Sequence, residues 1–236
     1  MTTLSHDDLV YKHEDFIVIN KPNNISVNQE QGSDSASLLM LAQTVFGIEK
    51  LYLVHRLDKV TSGLLIFARS SSAAATFSEL FASRSIEKYY VALSHSKPKK
   101  KQGLIVGDME RSRDGQWKLM PSKSNPAITQ FFSTSFSPGI RFFILKPRTG
   151  KTHQLRVALK SISSPITGDS LYKGTTSDRT YLHAFAIRFN YRGENIELSC
   201  PPKMGEYFVN SRCSELLIEH ASPWLLAWPT LPNTQK

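Results

Sequence analysis

The sequence predicts an α+β fold. Segments with strand character outnumber those with helical periodicity, the two kinds do not alternate regularly, and no repeat or long low-complexity tract interrupts them. Regular alternation would point instead to a doubly wound parallel sheet.

Each element has its own signal. Phe16–Asn20 (FIVIN) reads as a strand that runs into the turn-like Lys21–Asn24. A helix is expected over Ser35–Phe46, where Leu38, Leu41, Ala42 and Val45 recur at helical spacing. Leu51–Leu57 and Gly63–Arg69 read as two strands around a turn at Asp58–Ser62. Ser71–Ser83 follows as a helix whose buried face carries Ala73, Phe77, Leu80 and Phe81. Ile86–Leu93 is a strand. From about Ser94 to Asn125 apolar positions thin out, and an excursion of short strands and loops is expected there, opening on Lys97-Pro98-Lys99-Lys100-Lys101. Strands resume at Ile128–Ser133 and Ile140–Lys146, then a helix at Thr152–Ile162, a strand at Thr180–Phe189 and a helix at Glu206–Glu219. The tail, with Pro223, Pro229 and Pro232, is expected to pack back through Trp224 and Trp228, its last residues frayed. A single domain over residues 1–236 is the expectation.

Composition removes several classes of function. With 236 residues, 40% hydrophobic and 21% charged, the chain can bury a core and is not a disordered polymer. Two cysteines, Cys200 and Cys213, make neither a disulfide framework nor a CxxC metal pair. The seven histidines lack metal-ligand spacing, so no metal is expected. Apolar runs such as Leu64–Ala68 are too short to cross a bilayer, and the start, MTTLSHDDLVYK, lacks the apolar region of a secretory signal. A cytoplasmic location with reduced thiols and no membrane partner is the expectation. Lys and Arg number 29 against 20 Asp and Glu, and a formal charge of +9 favours a polyanionic partner.

Three segments can carry chemistry. In Val54–Arg69, Asp58 stands at a strand end, flanked by His55 and Arg56 and followed by Thr61, Ser62 and Gly63 in a tight turn. Hydroxyls and turn N–H groups can orient such a carboxylate towards a cleft; the plainer reading is an Asx turn that stops a strand. In Pro147–Lys160, a helical wheel puts Leu155, Ala158, Leu159 and Ile162 inward and His153, Arg156 and Lys160 together opposite, with Lys151 just before the helix. Anions bind well at such a basic helix start, the plainer reading being a solvated charged face. In Ile86–Leu93, alternation sets Lys88 and Tyr90 on one face, a pair suited to a phosphate and a base. The plainer reading is a core aromatic beside a rim lysine.

Two apparent motifs fail. Gly150-Lys151-Thr152 ends like a P-loop, but Leu145 stands where its first glycine is required. His55-Arg56-Leu57-Asp58 is near the kinase catalytic loop, yet Leu57 splits the triplet and Gly63 occupies the metal-binding position.

Together the segments resemble the RluA-type family of RNA pseudouridine synthases, from about Tyr11 to about Tyr207. The resemblance rests on Asn20-Lys21-Pro22, on His55-Arg56-Leu57-Asp58 with Thr61-Ser62-Gly63-Leu64-Leu65, and on Lys88-x-Tyr90-x-Ala92. It continues through Gly150-Lys151-Thr152-His153-Gln154-Leu155-Arg156, then Pro165-Ile166-x-Gly168-Asp169 with Tyr172, and Leu182-His183-Ala184. Asn24 departs from a common glycine, Lys151 from a frequent arginine, and Lys173 separates Tyr172 from Gly174. No match to the S4-like module of many relatives accompanies it, so RNA binding is expected from the catalytic body and its inserts.

The resemblance implies a central mixed, mostly antiparallel sheet flanked by helices and loops. It implies isomerisation of uridine to pseudouridine in structured RNA, tRNA or rRNA, by a monomer without cofactor. Asp58 is then the essential carboxylate, Arg156 its charge partner, Tyr90 the stacking ring and Arg56 the occupant of the flipped base's space. His55, Lys88 and Thr61 complete the expected substrate-binding set, and Lys97, Lys99, Lys100, Lys101, Arg111 and Arg113 are candidate phosphate contacts. A non-catalytic RNA-binding or remodelling protein on the same fold is the alternative. A nucleoside or sugar hydrolase ranks lower, because no second positioned acid is evident.

Overall fold

The computed structural model describes residues 3–27 and 37–231. In chain order the strands are β1 (Leu9–Lys12), β2 (Phe16–Lys21), β3 (Tyr52–Leu53), β4 (Ser62–Ala68), β5 (Glu87–Ser94) and β6 (Gln102–Arg111). They continue as β7 (Trp117–Met120), β8 (Ala127–Ser137), β9 (Ile140–Pro147), β10 (Leu182–Tyr191) and β11 (Glu194–Ser199). The α-helices are α1 (Leu38–Phe46), α2 (Ser71–Ala82), α3 (Gln154–Ser161) and α4 (Ser211–Glu219). The class is α+β, with a mixed and mostly antiparallel pairing of strands. The chain divides into two compact units, one up to Glu87 together with His183–Pro202, the other Lys88–Leu182 together with the residues from Lys203 onward.

In the first unit the strand order is β1-β2-β4-β10, with β3 on β4 and β11 on β10. Strands β2 and β4 are buried along their whole length. One face of the pair, with Phe16, Val18, Leu64 and Ile66, packs with Ala73 and Phe77 of α2 and with Phe189, Tyr191 and Ile196. Ser70 caps α2 by accepting the Ala73 N–H, and Leu80 and Phe81 close the edge of the same cluster as expected. Helix α1 begins at Ser37, whose side chain accepts the Met40 N–H, and stops at the left-handed Gly47. Leu38 and Ala42 supply its buried face; the expected first residues, 35 and 36, lie outside the described residues, as does Pro232 of the tail. The hairpin β10–β11 turns through Arg192 and Gly193, both at positive φ, and extends beyond the expected strand end at Phe189.

The expected strand Leu51–Leu57 shrinks to two residues, for a reason visible on β4. Tyr52 pairs with Ala68 and Leu53 with Phe67, and the next N–H along, that of Ile66, is taken by the imidazole of His55 (2.9 Å). A side chain thus replaces the third rung of the ladder. Further along β4, Ser62 and Gly63 pair in parallel with His183 and Ala184 of β10.

In the second unit the order is β5-β9-β8-β6-β7, all neighbours antiparallel. The expected excursion of short strands and loops contains instead a ten-residue strand, β6, bonded to β8 on one side and β7 on the other. Only Ile105 and Gly107 of β6 are buried, so backbone hydrogen bonding rather than apolar burial holds it, and hydrophobic patterning is silent there. Gly107 is needed for the close crossing: a Cβ there would meet the Met120 carbonyl oxygen at 2.2 Å. Helix α4 starts at Ser211 rather than Glu206, because the N–H groups of Glu206 and Tyr207 go to Asp178 and to the Tyr181 hydroxyl. The tail packs back as expected: Trp228 lies 5.9 Å from Tyr89 and 5.0 Å from Phe132, and Trp224 lies 6.3 Å from Tyr89.

Candidate active site

The first unit carries the carboxylate. Leu57 is buried and anchors the segment between β3 and β4, leaving Arg56 exposed and Asp58 half-buried. Asp58 closes a turn by accepting the Thr61 N–H on its backbone carbonyl (3.0 Å), and Thr61 is buried at the foot of β4. Two glycine-related features shape this end of the sheet. Gly63 sits at φ +112, and a Cβ there would lie 2.3 Å from the Ala184 carbonyl oxygen, so no side chain fits. Asn24, where a glycine is common, adopts the left-handed conformation (φ 62), which Asn tolerates better than most residues. His55 accepts the Ile66 N–H on Nε2 and packs its ring, tilted, against Phe81 at 4.8 Å, so it fixes the backbone that carries Arg56 and Asp58.

Lys21, Ser62 and His183 support the same turn. Lys21 is fully buried, and its Nζ donates to the carbonyl oxygens of Pro22 (2.8 Å) and Lys59 (3.2 Å). Ser62 bonds His183 at Nδ1 (2.8 Å), and His183 Nε2 lies 2.8 Å from the Cys200 carbonyl oxygen. The sequence shows Lys21 and His183 within short motifs, but no local signal reveals what they touch.

The second unit carries the ring and the guanidinium. Tyr90 lies on β5 opposite Leu145 of β9 and is 9% exposed. Its neighbour Tyr89 points to the other face, against Trp224, Trp228 and the Lys146 ammonium (5.0 Å from the ring). Lys88 precedes them on the strand, and burial holds its ammonium below the usual lysine range.

Arg156 corrects the helical wheel. The expected outward basic face of α3 is not solvated at Arg156, which is 5% exposed. Its Nε and Nη2 donate to the two oxygens of Asp169, each at 2.8 Å, with the Asp169 side chain 1% exposed. This bidentate pair offsets the cost of burying the charge, and it fixes the plane of the guanidinium. The ring of Tyr172 lies 4.9 Å from that guanidinium and 5.5 Å from Lys160 Nζ. The Tyr172 hydroxyl accepts the Trp117 N–H (3.0 Å) and shares a hydrogen bond with His153 Nδ1 (2.8 Å). His153 itself is left-handed (φ 57), and α3 starts only at Gln154. The Gln154 amide, buried, accepts from the Thr149 hydroxyl and the Lys151 N–H and donates to the Ile128 carbonyl and Thr129 hydroxyl oxygens. With Gln154 locked inward, the preceding residue takes up the bend, and histidine is among the residues that occupy this region most readily. Asp169 was visible in the sequence only as part of a Gly168-Asp169 motif; its pairing joins residues 13 apart and has no local signature.

The charge of the insert is uneven. From Gln102 to Met120 three basic residues (Arg111, Arg113, Lys118) meet three acidic ones (Asp108, Glu110, Asp114), and Lys118 lies 3.5 Å from Glu110. Lys97, Lys99, Lys100 and Lys101 have no acidic residue among positions 94–107. Among the described residues, no group of three His, Cys, Asp or Glu side chains is placed to hold a metal ion, and no helix is long and apolar enough to cross a membrane.

Known proteins resemble this chain. Residues 15–161 match the family model described as RNA pseudouridylate synthase. An uncharacterized RNA pseudouridine synthase of Haemophilus influenzae is 53% identical over 86% of this chain and 90% of its own length. A ribosomal large subunit pseudouridine synthase C of Rickettsia bellii is 30% identical over 85% of this chain and 69% of its own. Among solved structures, human RNA Pseudouridylate Synthase Domain Containing 1 superposes with a TM-score of 0.70 at 25% identity, covering 83% of each chain. Human RNA Pseudouridylate Synthase Domain Containing 4 gives 0.67 at 27% identity, covering 86% of this chain and 90% of that one. The chain therefore belongs to the RNA pseudouridylate synthase family of RluA type, isomerases that convert uridine in RNA to pseudouridine.

Proposed function

We propose that the protein isomerises specific uridines in structured tRNA or rRNA, acting as a cytoplasmic monomer, with Asp58 as its essential carboxylate. The observation that carries this reading is the placing of Asp58: a half-buried acid on a backbone-closed turn at the foot of a fully buried strand. In the reaction the bond from ribose C1′ to N1 breaks and a bond from C1′ to C5 forms. The hydrogen on C5 leaves to water and N1 takes a proton from water, so the sum is an isomerisation that requires no cofactor.

The target base must leave its stack, at a cost of a few kcal/mol. Stacking on an aromatic returns about 1–3 kcal/mol per base, and Tyr90 is the ring for that role. Arg56, exposed beside Asp58, takes the space of the extruded base. Arg156, its plane set by Asp169, is the charge partner proposed for Asp58. Thr61 and His55 act by holding the Asp58 segment, and Lys88 meets phosphate. The lysine run at 97–101, with no acid near it in sequence, is the better phosphate grip than Arg111 and Arg113, which lie among acids. The large-subunit name of the Rickettsia relative favours rRNA as the first pool to test.

Incubation with RNA tritiated at uracil C5 tests the reading. Label released into water, and its loss in Asp58→Asn with RNA affinity retained, is the expected result. No release from any cellular RNA pool, or full release by the Asn variant, overturns it. RNA binding without release would favour the non-catalytic alternative. Mapping pseudouridines in cells with and without the protein then names the position.

A further inference from the structure

We propose that Lys21 and His183 are positioning residues, a two-point clasp that presets the Asp58 turn for the reaction; this rests on the role given to Asp58 above. The geometry is specific to that turn. Lys21 Nζ reaches the carbonyl oxygen of Lys59, the residue after Asp58, and His183 reaches the hydroxyl of Ser62, the residue after Thr61. Between those two points the chain is closed by the Thr61 N–H on the Asp58 carbonyl. Both anchors are 0% exposed and Ser62 is 4% exposed, so water does not compete for their bonds.

The proton inventory of the His183 anchor follows from its partners. The Cys200 carbonyl oxygen can only accept, so His183 Nε2 carries a hydrogen. A single proton on the ring satisfies both contacts when Nδ1 accepts from the Ser62 hydroxyl. The Lys21 anchor is costlier. A buried ammonium is expensive, and an apolar side chain at that place in a buried strand would fill space without the penalty. What the ammonium gives in return is a direct hold on the backbone next to Asp58. Gly63, with no room for a Cβ beside Ala184, lets β10 come close enough for the His183 contact.

The consequence is kinetic. A misplacement of about 1 Å in a reacting group can cost about a hundredfold in rate, while binding of the rest of the RNA is untouched. Lys21→Met and Ser62→Ala are therefore expected to lower kcat for tritium release by about tenfold or more. KM and the RNA dissociation constant stay within about twofold, since the anchors touch no substrate. His183→Phe behaves like Ser62→Ala, and His183→Asn, which keeps an acceptor near the Nδ1 position, recovers part of the loss. Amide exchange read by NMR supplies a measure independent of activity. The Thr61 N–H exchanges about tenfold faster or more in Ser62→Ala, whereas the β4 amides of Leu65 and Phe67 keep their protection.

Unchanged Thr61 exchange in Ser62→Ala overturns the proposal. So does faster exchange with unchanged kcat, and so does equal acceleration across all of β4, which would mean a loss of global stability only. If Lys21→Met or His183→Phe fails to fold, Ser62→Ala decides, because it removes a single hydroxyl. Full activity in Asp58→Asn, or no release by the wild type, defeats the functional reading instead; the clasp is then judged on Thr61 exchange alone.

Discussion

Asp58 and Arg156 lie in different units of this fold, and different kinds of bond hold the segments that carry them. Arg156 is fixed through its own charge: two guanidinium nitrogens on Asp169, with the pair 6% and 1% exposed. The Asp58 turn is held through its backbone and neighbours: the Asp58 carbonyl closes the turn, Lys21 holds the next peptide, and Ser62 is tied to His183. In the first arrangement charge and stability are one quantity, because removing either partner strands a buried ion. In the second these bonds are made by other groups, so they do not depend on the Asp58 carboxylate itself. A residue that must do chemistry gains from the second arrangement, and a residue that must keep a charge in one plane gains from the first.

The largest effect should separate the two at once. Asp58→Asn takes tritium release to background, while its thermal midpoint shifts by no more than about 2 °C, as for a substitution outside the packed core. A large fall in melting temperature would show that the carboxylate itself contributes to holding the turn. Next comes Asp169→Ala, which leaves Arg156 buried and unpaired from this carboxylate. About 3–5 kcal/mol of stability is expected to disappear, measured by urea unfolding, along with most activity. A cost below about 1 kcal/mol would mean that Arg156 is not dependent on the pair. Tyr90→Leu removes the stacking surface and should cost about 1–3 kcal/mol in kcat/KM, about 5- to 150-fold, with Tyr90→Phe near wild type. Equal losses in both variants would assign the effect to the hydroxyl. The smallest effect on turnover belongs to replacing Lys97, Lys99, Lys100 and Lys101 by Ala. Here kcat holds, KM rises, and the slope of log affinity against log salt flattens by about 3. An unchanged slope would remove the lysine run from the RNA interface.

Much of the architecture was legible because local burial leaves local patterns. The fully buried β2 and β4, the Ala73–Phe77 face of α2 and the end of α1 at Gly47 all follow from residues near one another in sequence. Tyr90 was placed on a strand and Asp58 in a turn before a strand by the same means. Strand β6 escaped because hydrogen bonds to β8 and β7, not apolar spacing, define it. Strand β3 was overextended because nothing in Leu51–Leu57 says that the His55 ring takes the Ile66 N–H in place of a third rung. The plainer reading of α3, a solvated charged face, fails at Arg156, because periodicity records which way a side chain points and not whether an acid waits there.

The sequence alone determined the α+β class, the order of the short motifs and the family to which they belong. The tertiary structure decided which polar groups answer one another: Arg156 with Asp169, Ser62 with His183 across 121 positions, and Lys21 with Lys59 across 38. The physical reason is range. Hydrophobic burial is non-directional and repeats with the backbone period, so one strand or helix displays it unaided. A hydrogen bond needs a particular partner at a particular distance and angle, and only the folded chain supplies that partner.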